Sequence, residues 1–413
     1  MERIGVYGGT FAPPHNGHIA AARAFAERGG IDRLLIFPAG IPPHKEITPD
    51  DDPAHRLAMT RIAFGNLPHT EVSDWEICQG GRSYTVLTLE HLAAPDRELV
   101  LLTGTDMFLT LDTWYRAADI FRLAEVVCIR READQKKSAE IEKKISEYRE
   151  LFGARVRLMD EDATVLSSSA LRGIAAGGGD LSPYLPNGVA DYIDAHQLYR
   201  VPQNGSITPA DLDRLKRRLA AEQSPARFAH TCGVEQTALH IGALCAPEDL
   251  YRLRAAALLH DATKEYPCEK QLKFVAESGI IVDDCEKSSS ALLHAASAAA
   301  LIGIDPACSA FAESAVIDAV RWHTTGRAEM SVLEQIIFLA DYIEPTRTHA
   351  ACTALREQFW AVDPAAMDED ARLAHLRRFV CLEAEQTIRH LLDRGAPIAE
   401  NTLRARNWAL ASD

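Results

Sequence analysis

The chain has 413 residues, 47% of them hydrophobic and 25% charged, a globular composition too long for one ordinary core and best divided into two domains. Forty-four Lys and Arg against 59 Asp and Glu leave a formal net charge of −15, which excludes a general nucleic-acid binder because that needs a basic face. No apolar run reaches the length of a bilayer span, and the N-terminus has no basic-then-apolar leader pattern. Nine cysteines without a C-x-x-C pair read as thiols of a reducing compartment, so a cytoplasmic chain with no membrane partner is expected; the composition leaves the oligomeric state open.

From residue 3 to 200, short β-rich runs alternate with helical patterns. The strand candidates are "RIGVYG", "RLLIFPA", "TEVSDWEI", "ELVLLTG", "EVVCIR" and "RVRLMD", with amphipathic stretches such as "HIAAARAFAER" and "YTVLTLEHLAA" between them. That rhythm predicts a doubly wound parallel sheet, an α/β fold that binds ligands at the carboxyl ends of its strands. The charged run from Glu132 to Glu150 reads as a solvated surface helix. At Pro202, Asn204, Gly205 and Ser206 a polar linker intervenes. Thr208 then reads as an N-cap with Pro209 at the first helical position, followed by Leu212, Leu215 and Leu219 at helical spacing. Onward to Asp413 the pattern is helical, without a convincing strand. The reading is therefore an α/β domain over 1–204 and an all-α domain over 205–413.

The first candidate site is "GGTFAPPHNGH", residues 8 to 18, directly after the first strand. A glycine turn there lets backbone N–H groups approach phosphate oxygens, and the helix N-terminus beyond it favours negative charge. His15 and His18, three residues apart, can donate to one phosphate ligand or can simply be exposed loop residues. "SSSALR", Ser167 to Arg172, adds hydroxyls that can cap a helix and an arginine suited to phosphate.

In the helical half, His230, His260, Asp261, His294, His323 and Asp341 are dispersed through apolar stretches: "RFAHTCG", "AALLHDATKEYP", "ALLHAASAA", "AVRWHTTG" and "IFLADYIEP". A lone histidine among alanines and leucines is ordinarily a satisfied core residue. Four of them with two aspartates are costly to bury without partners, and a shared metal site removes that cost.

"GGTFAPPHNGH" and "LSSSALR" resemble the two signature motifs of the HxGH nucleotidyltransferase superfamily. "AGIPPHKE", "VSDWEICQGGRSYTVLTLEHL", "LLTGTDMFLTLDTW" and "YLPNGVADYIDAHQLY" extend the resemblance, across nearly all of residues 3 to 200, to bacterial nicotinate mononucleotide adenylyltransferase. The resemblance implies Mg²⁺-ATP and nicotinate mononucleotide as substrates. It places Gly8, Gly9, Thr10 and Phe11 in the nucleotide-binding turn, and His15 and His18 on the ATP phosphates with Lys45, Ser168, Ser169 and Arg172 assisting. Gly104 and Asp106 fall where the family contacts nucleotide, and Thr85 and Trp114 where it holds the nicotinate ring; for Trp114 the residue pattern alone favours ordinary core packing. Ala12 departs from the family's usual aspartate. A phosphopantetheine-type HxGH transferase is the alternative, against which Trp114, "SYT" and "PPHK" argue.

The helical half carries the HD-domain signature, and "HDATK", "RWHTTG" and "FLADYIEPTR" resemble the bacterial HD hydrolases that cleave diadenosine tetraphosphate symmetrically, over about residues 210 to 390. This implies a dinuclear centre, with iron the expected metal, on the four histidines, Asp341 and a bridging Asp261. Lys264 would reach a phosphate oxygen of a dinucleoside polyphosphate, with Arg347 a weaker candidate. "HAASAA" departs from the glycine and proline that often follow the family's third histidine. A nucleotide-binding regulatory module is the alternative for this half.

Overall fold

The structure, a computed structural model, describes residues 1–42, 52–131, 137–161, 167–362 and 364–411; Lys45 lies outside the described residues. Contacts divide the chain into two units, 1–171 with 181–198, and 172–180 with 199–413.

The first unit is built on six parallel strands: β1 (Glu2–Gly9), β2 (Arg33–Pro38), β3 (Thr70–Val72), β4 (Arg97–Gly104), β5 (Ala124–Arg131) and β6 (Val156–Glu161). Their order is β3-β2-β1-β4-β5-β6, so the winding reverses between β1 and β4. Around them run α1 (Asn16–Arg28), α2 (Pro53–Phe64), α3 (Trp75–Gln79), α4 (Thr85–Leu92), α5 (Thr105–Leu109), α6 (Ala117–Leu123), α7 (Ser138–Phe152), α8 (Ser168–Ala176) and α9 (Val189–Ala195). Register places Leu35, Val6, Leu101, Val126 and Val156 in one row across the sheet. All five are buried, as helix cover on a parallel sheet requires. On the opposite face Gly5 leaves room for Phe25 of α1, since a Cβ there would lie 2.8 Å from its ring.

Two expectations are corrected. "TEVSDWEI" is only partly strand: pairing stops at Val72, and α3 begins at Trp75 because Glu76 turns inward to a buried partner. Residues 132–136 of the charged run lie outside the described residues, and the rest is a helix that is not wholly solvated. Within α7, Ile141, Ile145 and Tyr148 are buried, and the Tyr148 hydroxyl donates to the Phe108 carbonyl at 2.8 Å. Its charge belongs to one face of an amphipathic helix.

The described residues from 205 onward contain helices and no strand. They form α10 (Pro209–Glu222), α11 (Pro225–Cys245), α12 (Leu250–Leu259), α13 (Cys268–Ser278), α14 (Asp284–Ser288), α15 (Ser290–Ile304), α16 (Ser314–Trp322), α17 (Val332–Ile343), α18 (Ala350–Phe359), α19 (Glu369–Asp393) and α20 (Glu400–Leu410). Thr208 caps α10 in a reciprocal box with Asp211, and Leu212, Leu215 and Leu219 are buried. Ser224 with Pro225 starts α11, and a Ser331–Glu334 box starts α17, so the helices bearing His230 and Asp341 have defined first turns. No helix among the described residues is long and apolar enough to cross a membrane.

Candidate functional site

In the first unit, Gly8–Phe11, His15 and His18 follow β1, Gly104 and Asp106 follow the adjacent β4, and Ser168 joins them, at the reversal of the winding. This is where an open α/β sheet leaves a crevice for ligand. The turn after β1 is held from beneath. Phe11 takes a left-handed backbone (φ 51°), and its ring packs edge-on against Tyr7 and Phe64. A Cβ on Gly9 would lie 2.8 Å from that ring, so glycine is required. With its side chain only 1% exposed, Phe11 presents backbone rather than an aromatic face to any ligand.

His15 is the N-cap of α1, and His18 lies in the first turn. Their rings stack with centroids 3.6 Å apart. The His15 backbone N–H donates to His18 Nδ1 at 3.2 Å, so a neutral His18 carries its proton on Nε2 and can donate from there. Both rings stand at a helix N-terminus, whose N–H groups and dipole favour an anion. Ser168 Oγ donates to the Pro13 carbonyl at 3.1 Å, bringing the "SSSALR" helix onto the same loop; Arg172 follows one turn along α8. Ser167 caps α8 through the Ala170 N–H and meets the Ser169 hydroxyl at 2.9 Å.

Gly104 ends β4 and caps α5, whose exposed Asp106 pairs with Lys137 at 2.7 Å. Thr85 is the first residue of α4, and Trp114 is half-buried against the core of the sheet. Their neighbours Tyr84 and Tyr115 lie 4.7 Å apart, so these two segments meet.

Arg56 is a residue that the sequence reading missed. Fully buried on α2, it donates to the carbonyls of Thr10 (3.1 Å), Ala39 and Gly40 (2.7 Å), tying the ends of β1 and β2 together. The available signal was its spacing: it falls on the same face as buried Met59, Ala63 and Phe64.

In the second unit, five helices and their C-terminal ends bring the His and Asp side chains into one cluster. Asp261 divides it. Its Oδ2 lies 3.7 Å from His230 Nε2 and 3.6 Å from His260 Nε2, while Oδ1 lies 3.0 Å from His294 Nε2 and 3.7 Å from His323 Nε2. Asp341 Oδ1 joins the first pair, 3.1 Å from His230 Nε2. The ring protons are fixed from behind. His260 and His323, at the C-caps of α12 and α16, each donate Nδ1–H at 2.7 Å to the carbonyl three residues earlier, Ala257 or Val320. His230 Nδ1 meets Glu344 Oε1 at 3.1 Å.

Each of those three histidines therefore turns an Nε2 lone pair inward. His230 and His260 Nε2 approach to 3.3 Å, and His294 and His323 Nε2 to 3.1 Å. Where both nitrogens of such a pair present lone pairs they repel unless a cation, either a proton or a metal ion, lies between them. Asp261 Oδ1 is also buried without a hydrogen bond. The donor set thus fits a dinuclear metal site, His230–His260–Asp261 and Asp261–His294–His323 sharing one carboxylate.

Protonation agrees. Burial pushes His260 down to about 3 and His294 to about 4, leaving neutral imidazoles. Burial would raise Asp261 and Asp341, but the surrounding histidines, and Arg347 beside Asp341, outweigh it and hold both well below the carboxylate range. Burial would also lower His230, yet hydrogen bonds to Asp341 and Glu344 raise it to about 9.

Cations surround the carboxylates. Lys264 Nζ lies 3.7 Å from Asp261 Oδ1 and 2.9 Å from His294 Nε2, and Arg347 pairs with Asp341 at 2.5 Å. Arg227 pairs with Asp261 Oδ2 at 2.5 Å. Arg227 was missed by the sequence reading, although it precedes His230 by three and so shares its helix face. Glu344 was missed as well. Its side chain is fully buried, and Gly233 faces it so closely that a Cβ would lie 2.3 Å from Oε2.

The fold and these two clusters define a nucleotidyltransferase domain joined to an HD-type metal hydrolase domain. The cytidylyltransferase-like family model matches residues 6–174 and the HD domain model residues 227–346. A probable nicotinate-nucleotide adenylyltransferase of Symbiobacterium thermophilum is 35% identical over 201 residues, covering 48% of this chain and 96% of that protein. Its counterpart in Desulfatibacillum aliphaticivorans is 34% identical and 99% covered. By this likeness the chain belongs, through its first half, to the nicotinate-nucleotide adenylyltransferase family. A solved structure from Clostridium acetobutylicum, described as a predicted HD superfamily hydrolase involved in NAD metabolism, is 29% identical over 49% of this chain and 97% of its own, with a TM-score of 0.42.

Proposed function

We propose that the chain is a bifunctional nucleotide enzyme, with residues 1–204 and 205–413 as its functional domains. The first transfers AMP from ATP to nicotinate mononucleotide, releasing pyrophosphate and forming nicotinate adenine dinucleotide. The observation that carries this reading is the stacked His15–His18 pair at the α1 N-terminus, at the winding reversal, with Ser168 fastened to the same loop. His18 Nε2–H and the α1 N–H groups donate to ATP phosphate oxygens as charge builds on them, with Arg172 and Lys45 adding positive charge. Mg²⁺ accompanies the ATP as part of the substrate. Thr85 and Trp114 seat the nicotinate ring, bringing the acceptor phosphate in line with the α-phosphorus. Positioning and charge neutralisation suffice, without a covalent enzyme intermediate.

The second domain hydrolyses dinucleoside polyphosphates, cutting diadenosine tetraphosphate symmetrically to ADP. Support comes from the sharing of Asp261 between two histidine pairs. His230, His260, Asp261, His294, His323 and Asp341 would hold two metal ions, which we take to be iron. When bound, such a pair supplies a water of lowered pKa and a clamp for the attacked phosphate. Lys264, with Arg347 and Arg227, neutralises phosphate oxygens and orients the chain of phosphates.

The test uses the full chain, reconstituted anaerobically with Fe²⁺ or Mn²⁺, with chromatographic separation of products. ATP with nicotinate mononucleotide yields nicotinate adenine dinucleotide, and diadenosine tetraphosphate yields ADP alone. Transfer to phosphopantetheine instead overturns the first assignment. Tight nucleotide binding without cleavage overturns the second in favour of a regulatory module.

A further inference from the structure

Glu76 is a carboxylate buried to 8% exposure, in a position that the transferase chemistry above does not use. It lies on α3, a five-residue helix that follows β3. The Thr88 hydroxyl, buried in α4, donates to its Oε1 at 2.6 Å, and Ser83 is its second side-chain hydrogen-bond partner. Ser83 is itself attached to the end of β2. Its Oγ accepts from the Gly40 N–H at 2.8 Å, and its own N–H donates to the Ile41 carbonyl at 2.8 Å. A parallel bridge between Ile41 and Arg82 continues the pairing. From below, α3 presses on the same strand end: a Cβ on Gly40 would lie 2.7 Å from the Glu76 carbonyl oxygen. Gly40 has no freedom to retreat, because Arg56 holds its carbonyl at 2.7 Å.

Thr85 comes two residues after Ser83 and opens α4, the helix that carries Thr88. Glu76 therefore holds the segment Ser83–Thr85 from both sides, through the Ser83 hydroxyl at its start and the Thr88 hydroxyl in the first turn of the helix that Thr85 opens. We propose that Glu76 is a positioning residue of the acceptor site: it sets where the Ser83–Thr85 segment lies and so determines affinity for the pyridine mononucleotide, without touching substrate. This rests on the reading that Thr85 lines the nicotinate pocket. The turn after β1 meets this set of bonds only at its margin, where Arg56 donates to both the Thr10 and the Gly40 carbonyls, so the ATP site feels the loss of Glu76 less directly than the Ser83–Thr85 segment does.

The test compares Glu76→Ala, Glu76→Gln and Ser83→Ala in the full chain, measuring KM for each substrate separately by pyrophosphate release. Glu76→Ala strands two hydroxyls and raises KM for nicotinate mononucleotide about tenfold, with KM for ATP within about twofold of wild type. Glu76→Gln keeps an acceptor for Thr88 and returns most of the affinity. Ser83→Ala breaks the same link without removing the carboxylate and raises the same KM, which keeps the test available should Glu76→Ala not fold. An unchanged KM for nicotinate mononucleotide, an equal rise in both KM values, or a glutamine variant as impaired as alanine overturns the proposal. A wild-type chain that transfers no AMP to nicotinate mononucleotide refutes the transferase reading instead, and the proposal with it.

Discussion

Replacing Gly233 with alanine perturbs the metal centre through a single methyl group. The new Cβ would lie 2.3 Å from Glu344 Oε2 and 3.1 Å from its Cδ. Ordinary contact requires about 3.4 Å or more, so the carboxylate must shift by about 1 Å. It cannot do so freely. Oε2 accepts from the Thr346 N–H at 2.6 Å, and Oε1 accepts from the Thr346 hydroxyl at 2.6 Å while meeting His230 Nδ1 at 3.1 Å. A shift of that size breaks the bond to His230 and frees its ring to turn. Losing the partner of a metal-ligating histidine weakens metal binding about 10–100-fold, or about 1.4–2.8 kcal/mol. Overall stability changes less, because overpacking of about 1–3 kcal/mol is partly offset by alanine's helix preference of about 1 kcal/mol. Titration calorimetry of the metal-free chain with Mn²⁺ measures the effect. Gly303→Ala is the control: it lies in α15 with nothing within 4 Å of the added Cβ, and it should leave metal affinity alone. A Gly233→Ala chain that binds Mn²⁺ as tightly as the Gly303→Ala chain would refute the reasoning.

Asp261→Asn removes the charge both histidine pairs share, so metal content by elemental analysis should fall from about two ions per chain to fewer than one, and hydrolysis should drop more than about 100-fold; retention of two ions would show that Asp261 does not bridge. His18→Ala should lower transferase kcat by about 10²–10³ while the hydrolase rate stays at the wild-type level, and a parallel loss of both activities would point to general damage. Burial raises the pKa of Glu76, against the hydrogen bonds of Thr88 and Ser83 that lower it. The folded chain thus holds that proton at pH values where the unfolded chain has released it. Stability from this group is complete below the unfolded value of about 4.3 and is lost as pH rises through the folded one. The Tm of Glu76→Gln minus that of wild type should therefore increase with pH over this interval, and a constant difference would contradict it.

The alternation of apolar runs with amphipathic stretches was enough to predict the parallel sheet, because strands buried on both faces must be apolar throughout. It could not separate "TEV" from the α3 turn that follows, since the inward direction of Glu76 depends on Thr88 and Ser83, across a helix and a loop. The run around α7 misled for a related reason. Its many charges mask Ile141, Ile145 and Tyr148, whose spacing carries the packing information. The histidines and aspartates of the second unit were legible one by one, as polar groups too costly to bury alone. Their division into two sets was not legible: it needs Asp261 to aim its two oxygens at different histidine pairs, which only the crossing of α11, α12, α15, α16 and α17 arranges.

Local sequence by itself determined the turn chemistry, the helix caps and the identity of the groups that carry charge or lone pairs, because these depend on neighbours a few residues away. What the tertiary structure decided is which of those groups face each other. Arg56 beneath the turn after β1, Glu344 behind His230 and Gly233 against Glu344 belong to positions up to 114 residues apart in the chain, as His230 and Glu344 are. Close packing of the folded chain sets those distances, and no pattern along the sequence encodes them.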